Sequence, residues 1–345
     1  MTGPVRLASV DMGTNSTRLL VADCDGSATT TIDRRMVITR LGEGVDEEHA
    51  LREEAMDRTV AMLETYAGVI RDLEPAGVAA VATSVLRDCW NADAFLDRAE
   101  AALGTRPRVI SGQEEAALSF IGAVSGLTKT GVRHDSSHPA SGSDADAEES
   151  TGPVLVFDIG GGSTEIVFGD TSCLGDLLAG EAAGQVGLRL ASVDVGCVRM
   201  SERFLAGDPP SPIAIGRMES ELVSKLKPVL EPIRAAKPAL GIGLAGTVTT
   251  ISGINLGLDE YDTVSIHHSR LTRSDVEKVF RRLAFLTVEE RKEEMTLEPG
   301  RADVIVGGAA VLRTVMDLAG LSEILVSEKD ILDGLVLELY HRTSE

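Results

Sequence analysis

Along this chain of 345 residues, the spacing of apolar positions alternates between the period of a strand and that of a helix. Near the start, the apolar stretch Leu7–Val10 meets a turn of small polar residues, Asp11–Thr17. It re-emerges as Arg18–Asp23, which predicts a tight β-hairpin. A strand near Thr29–Arg34 and a long amphipathic helix near Glu53–Leu73 follow. Next come a strand Val78–Ala82, a helix Ala92–Leu103, a short strand Arg108–Ile110 and a helix opening at Gly112. Farther on, Val154–Phe157, the turn Asp158–Thr164 and the stretch Glu165–Asp170 form a second hairpin pattern. A strand around Leu188–Val195 and a helical stretch Pro212–Lys237, broken near Pro228 and Pro232, are expected after it. Strand Leu240–Leu244, a helix from Thr247, and helices near Ser274–Phe285 and Ala302–Leu318 come next. Strand Ile324–Val326 and a closing helix Ile331–His341 end the series.

The two hairpins match position by position. Asp11, Gly13, Ser16, Thr17 and Asp23 recur as Asp158, Gly160, Ser163, Thr164 and Asp170, always 147 positions later (158 less 11). Duplication of a hairpin-bearing α/β unit is the simplest account. Two domains are therefore expected: residues 1–125, joined by a C-terminal helix at about 328–345, and residues 153–327. Between them, segment 126–152 has almost no large apolar residue, and Asp135–Ser150 carries five acids with no Lys or Arg. Such a segment buries too little to offset its ordering entropy, so it is read as a flexible acidic loop.

A net charge of −21 excludes a general nucleic-acid surface, and no run of eighteen apolar residues suggests a membrane span. The cysteines, Cys24, Cys89, Cys173 and Cys197, stand far apart with no CxxC pair. That favours neither a disulfide framework nor a zinc site, and fits a reducing cytoplasm. The acidity also opposes any polyanionic ligand. Backbone amides, a few arginines and a divalent cation would have to make its site locally positive.

Several motifs could do so. The turn Gly13, Thr14, Asn15 and Ser16 offers amides and hydroxyls to an anion, and Asp11 before it could hold a cation through water, although the same residues also make ordinary hairpins. In the second copy, Gly160, Gly161 and Gly162 precede Ser163. Three consecutive glycines suggest that something approaches the backbone closely. Asp158 and Glu165 flank this turn and could hold Mg²⁺, which takes one or two carboxylates beside waters and phosphates. A third turn, Gly241–Thr247, formally matches GxGxxG, with Asp262 downstream for a ribose. The surrounding βαβ pattern is poor, so Gly246 and Thr247 are read as a phosphate contact at a helix N-terminus. Arg87 follows a buried strand and could fork a phosphate. Ser111 resembles an N-cap, which alone would explain Glu114 and Glu115 on the helix dipole.

Together these stretches resemble the exopolyphosphatase/guanosine pentaphosphate phosphatase family, of the actin-like superfamily of sugar and acetate kinases. The matching pieces are Asp11–Leu20, Arg40–Asp46, Ala82–Asp88, Ile110–Ala116, Asp158–Val167, Asp194–Arg199, Gly243–Thr250 and Gly300–Ala309, in the family's order. The resemblance implies two ribonuclease-H-like domains around a cleft and Mg²⁺, with Mn²⁺ as an alternative. It also implies release of terminal phosphate from inorganic polyphosphate or guanosine pentaphosphate. Carried over by position, Glu115 matches the catalytic base and Arg87 a phosphate-binding arginine. Asp158, Glu165 and Asp11 match acids near the metal, and the three turns match phosphate contacts. Asp330–Gly334 departs from the family's Leu-Arg-Glu-Gly stretch, although it also resembles an actinobacterial branch. The C-terminal helical domains of long members are absent, which points to short chains or a nucleotide and to distributive release. A homodimer is left open. The competing readings are an actin-like kinase, a non-catalytic sensor of guanosine tetraphosphate or polyphosphate and, from GxGxxG alone, a nicotinamide dehydrogenase.

Overall fold

The computed structural model describes residues 3–128, 131–132, 152–294 and 296–343. Most of the segment read as a flexible acidic loop lies outside them. Strands β1 (Val5–Met12), β2 (Ser16–Cys24), β3 (Thr29–Ile38), β4 (Val78–Ala82) and β5 (Arg108–Val109) form the first sheet, in the order β3-β2-β1-β4-β5. A small hairpin, β6 (Leu127–Thr128) and β7 (Gly131–Val132), stands apart. The second sheet uses β8 (Val154–Ile159), β9 (Thr164–Gly169), β10 (Arg189–Val193), β11 (Leu240–Leu244), β12 (Arg270–Thr272) and β13 (Glu323–Val326). Its order is β10-β9-β8-β11-β13-β12. In each sheet two antiparallel pairs at one side are followed by parallel strands, so the second repeats the first and adds β12, antiparallel, at the edge. This is a two-domain, actin-like α/β fold.

The local text explains the strands. All six residues of β8 and all six of β9 are buried, as apolar runs covered on both faces require. Strand β3 runs to Ile38 rather than stopping near Arg34. It is an edge strand, exposed along much of its length, so pairing with β2 rather than apolar alternation defines its end. Helix Pro212–Ala235 is continuous through Pro228 and Pro232, against the expected break. Its buried stripe is Met218, Leu222, Leu226, Leu230 and Ile233, whereas both prolines face solvent. The carbonyls deprived of a partner therefore lie on the solvent side, and packing on the other face holds the helix. Helix Ile305–Ala319 starts later than expected, because Pro299–Arg301 forms a 3₁₀ turn before it.

Two helices tie the sheets together. Helix Gly112–Val124 contributes Ala116 and Phe120 to a core shared by Leu20 of β2 and Val156 and Ile242 of the second sheet. Helix Ile331–Thr343 returns to the first sheet, where Ile331 and Leu335 pack with Val81 and Ile110, and Ser9 Oγ donates to Leu332 O at 2.9 Å. The two helices touch backbone to backbone. A Cβ on Gly122 would lie 1.8 Å from Asp330 O, and one on Gly334 would lie 2.1 Å from Leu118 O.

Alanine is normally the better helix former by about 1 kcal/mol. At this crossing the sign reverses, because overpacking typically costs about 1–3 kcal/mol. Gly122→Ala and Gly334→Ala should each lower the melting temperature in calorimetry; an unchanged or raised melting temperature would show that the helices separate freely.

Candidate functional site

The two hairpin turns are built alike and meet face to face. Gly13 N donates to Ser16 O, and Gly160 N to Ser163 O, each at 3.0 Å. A Cβ on Gly161 would lie 2.9 Å from Thr14 Cβ, and one on Gly162 2.9 Å from Ser84 Oγ. These glycines therefore let the two domains touch, a tertiary role the sequence reading assigned to a phosphate. Beside the contact lies a cavity of about 490 Å³. Its walls include Asp11, Gly13, Thr14, Asn15 and Ser16 from the first domain, and Asp158, Gly160, Gly161, Ser163 and Gly246 from the second.

Glu115 also faces this cavity, and the helix phase separates it from its neighbour. Glu114 is half-buried and pairs with Arg108 at 2.8 Å, while Ser111 Oγ accepts from Glu114 N as the N-cap. Glu115 is 9% exposed, and Arg87 Nη1 donates to its Oε2 at 3.0 Å and to Ile110 O at 2.8 Å. Arg87 sits on the short helix Ser84–Arg87 and is therefore held on a carboxylate, outside the cavity wall. Burial pushes the Glu115 carboxyl up to about 7 despite Arg87, helped by Asp11 and Asp158.

The repeat brings two further acids here with unlike partners. Across the first hairpin Asp11 pairs with Arg18, and across the second Asp158 pairs with Glu165. Arg18 Nη2 donates to Asp11 Oδ2 at 2.6 Å, while Asp11 Oδ1 is buried with no partner. Asp158 takes a hydrogen bond from Ser119 Oγ at 3.0 Å, and Glu165 one from Ser192 Oγ at 2.8 Å. Burial pushes Asp158 up to about 6, with Arg18 opposing. Burial and then the nearby Glu115 and Asp158 carry Glu165 well above its ordinary range, and burial raises Asp11 as well. No group of three or more His, Cys, Asp or Glu side chains placed to hold a metal ion occurs among the described residues.

Two expected contacts sit differently. Thr247 is buried and hydrogen-bonds the Cys197 thiol, so it does not line the cavity, while Gly246 does. Asp262 caps a short helix by accepting from Val264 N at 3.0 Å, and Gly243 is hemmed in by Val248 and Phe157 within the core. The first two glycines of the GxGxxG match thus lie in a packed strand, and Asp262 is a helix cap.

Sequence reasoning missed the cations. Arg18 also donates to Asp330 Oδ2 at 2.5 Å, and Arg34 binds Asp330 at 3.4 Å and Asp333. Although burial raises Asp330, the two arginines hold it below the usual carboxylate range. Arg301 lines the cavity, 9% exposed, with its guanidinium over Gly246 so closely that a Cβ there would lie 2.0 Å from Nη1. It donates to Met36 Sδ at 3.7 Å and has no carboxylate in ion-pair contact among the described residues. Its only local signal was its place in Gly300–Ala309.

This architecture has known relatives. The model of the Ppx/GppA phosphatase family matches residues 20–134 and 145–343. The chain belongs to this family. Exopolyphosphatase 2 of Mycobacterium tuberculosis is 37% identical over 347 residues, 97% of this chain and 98% of the relative. A guanosine-5'-triphosphate,3'-diphosphate pyrophosphatase of Vibrio atlanticus is 30% identical over 342 residues, 97% of this chain and 59% of the relative. Among solved structures, an exopolyphosphatase-like protein superposes with a TM-score of 0.83 at 33% identity, covering 100% of both chains. An Aquifex aeolicus member of the Ppx/GppA family gives 0.73 at 26% identity, covering 99% of both. No helix among the described residues is long and apolar enough to cross a membrane.

The raised carboxyls set a pH dependence of stability. A carboxyl whose folded value exceeds its unfolded one binds more protons when folded, so stability falls as pH rises between the two. For Glu115 that window runs from 4.5 to about 7, and for Asp158 from 3.8 to about 6. The metal-free protein should melt at progressively lower temperature as pH rises through this window in scanning fluorimetry. Glu115→Gln should flatten the upper part of the slope; a curve that rises with pH in this range would contradict the assignment.

Proposed function

We propose that this protein hydrolyses the terminal phosphoanhydride bond of inorganic polyphosphate or guanosine pentaphosphate, with Glu115 as general base. The observation that carries the reading is the position of Glu115. It is a buried carboxyl near neutrality, tethered by Arg87, facing a cavity walled by both hairpin turns. A base is most effective when its pKa lies near the working pH. Water attacks the terminal phosphorus in line, its proton passes to Glu115 Oε, and the bridging P–O bond breaks with its electrons left on the shortened phosphate chain. Arg87 fixes the orientation of Glu115 from behind the cavity wall. The amides of Gly13–Ser16 and Gly160–Ser163 hold the non-bridging oxygens.

The residues present fit Mg²⁺. Asp11 offers an unpartnered oxygen, and Asp158 and Glu165 form a like-charged pair that a cation relieves. Mg²⁺ keeps several waters and needs only one or two carboxylates, so no three-residue cage is required. When bound, the ion neutralises phosphate charge.

Arg301 supports a second phosphate contact. A buried guanidinium and the N-terminus of helix Ala245–Leu256 are both electropositive, and they meet over Gly246. Burial lowers Arg301 from its ordinary value, the mark of a cation awaiting a counter-charge. A phosphate between them would supply it.

Phosphate release from graded polyphosphates and guanosine pentaphosphate, with no acceptor present, tests the reading against a kinase or a sensor. Glu115→Gln should lower turnover at least about a hundredfold, the lower end for a general base, with KM little changed. The acid limb of the wild-type kcat/KM profile should bend near pH 7, as the Glu115 carboxyl does. Arg301→Gln should instead raise KM, with kcat nearly retained. Wild-type-like turnover in Glu115→Gln would move the base elsewhere.

A further inference from the structure

Two sequence motifs, Arg40–Asp46 and Asp194–Arg199, have no part in the chemistry just described, yet they meet across the cleft. Arg199, on helix Cys197–Phe204 of the second domain, places each of its donor nitrogens on a different element. Its Nε donates to Gly162 O at 2.9 Å, within the glycine turn. Its Nη2 donates to Asp88 Oδ2 at 2.8 Å, the residue after Arg87. Its Nη1 binds Asp46 Oδ1 on the short helix Val45–Glu48. Arg203 binds the same Asp46, and Arg40 pairs with Asp303 at 2.8 Å beside it. The Arg199 and Asp46 side chains are only 13% and 10% exposed, so water competes weakly for these contacts.

We propose that Arg199 is a positioning residue, the bolt of a latch that holds the glycine turn of the second domain against Asp46 and Asp88 of the first. The proposal rests on the functional reading above, since it concerns how that site closes. With the bolt in place, Gly161 and Gly162 lie on Thr14 and Ser84, and the second-domain wall of the cavity faces Glu115. Among the described residues, Arg199 is the side chain that hydrogen-bonds both Gly162 O and Asp88, the residue after Arg87. The planar fork of an arginine reaches three acceptors at once, which the single ammonium of lysine does not. The latch is ionic and lies at the cleft's edge, so it opens by losing a few contacts while both cores remain intact.

Breaking the latch lowers the closed fraction before substrate arrives. The apparent affinity falls by that fraction, while saturating substrate still drives closure. Arg199→Ala, Arg199→Lys and Asp46→Asn should therefore each raise KM about tenfold or more while kcat stays within about threefold. The Arg199→Ala, Asp46→Asn double variant should lose less than the two single effects combined, since the Arg199–Asp46 contact is common to both. Small-angle scattering of the ligand-free protein should show a larger radius of gyration in each variant, and melting curves should confirm folding at the assay temperature. Should Arg199→Ala fail to fold, the nearly isosteric Asp46→Asn carries the same measurements. Wild-type KM and radius in a folded variant would overturn the latch, and so would a loss confined to kcat. If no phosphate is released from any substrate, the functional reading fails, whereas the scattering result still decides whether the latch exists.

Discussion

Four carboxylates, Asp11, Glu115, Asp158 and Glu165, are held out of water where the two domains meet, and their mutual repulsion is what the rest of the site answers. Desolvation and like charge act in the same direction here, so each acid resists ionisation. The fold relieves the strain unequally. In the first domain Asp11 faces Arg18 across its hairpin, and the charge is met within the sheet. In the second domain Asp158 faces Glu165 in the equivalent register, with Ser119 and Ser192 as hydrogen-bond donors and Arg18 acting on Asp158 from the first hairpin. The duplicated hairpin thus gives one half with a cation across the strands and one half with a second acid there.

Around this core, the arginines are distributed with some economy. Arg18 and Arg34 are spent on Asp11, Asp330 and Asp333, tying strands β2 and β3 to the start of the C-terminal helix. Arg87 is committed to Glu115. Arg301 has no carboxylate in ion-pair contact among the described residues, so its charge adds to the local positive potential of the cavity wall in a chain of charge −21. A strongly acidic protein can host a phosphate-rich ligand in this way, because potential at a buried wall depends on the nearest unpaired groups and only weakly on the surface.

How much of this could be read from the chain depends on the range of each interaction. Asp11, Gly13, Asp158 and Gly160 were legible, since a repeat at fixed spacing exposes local geometry without reference to the fold. Arg18 and Glu165 occupy equivalent positions in that same repeat, but matching by identity passes over them because the difference between them is what matters. Glu115 could not be told from Glu114 by composition, as both suit a helix N-terminus; burial on one helix face separates them. The glycine run was noticed for the right reason, close approach, while the approaching group was a neighbouring domain as well as a cavity. Arg301 and Asp330 are far from the hairpins in sequence, and only the tertiary fold brings them there. The unbroken Pro212–Ala235 helix is a similar case, in which packing of one face overrode a local breaker.

The crossing at Gly122 and Gly334 also has a mechanical side. Glu115 lies seven residues from Gly122 on one straight helix, a lever arm of about 10 Å at ~1.5 Å per residue. With backbones in contact, the helices cannot slide toward each other, so their freedom is angular. A turn of roughly 10° about that fulcrum would carry Glu115 by nearly 2 Å for an arm of this length. That displacement is enough to break its 3.0 Å bond to Arg87. The Glu115 carboxylate is therefore geared to the angle between these two helices, and small angular errors at the pivot are magnified at its bond to Arg87.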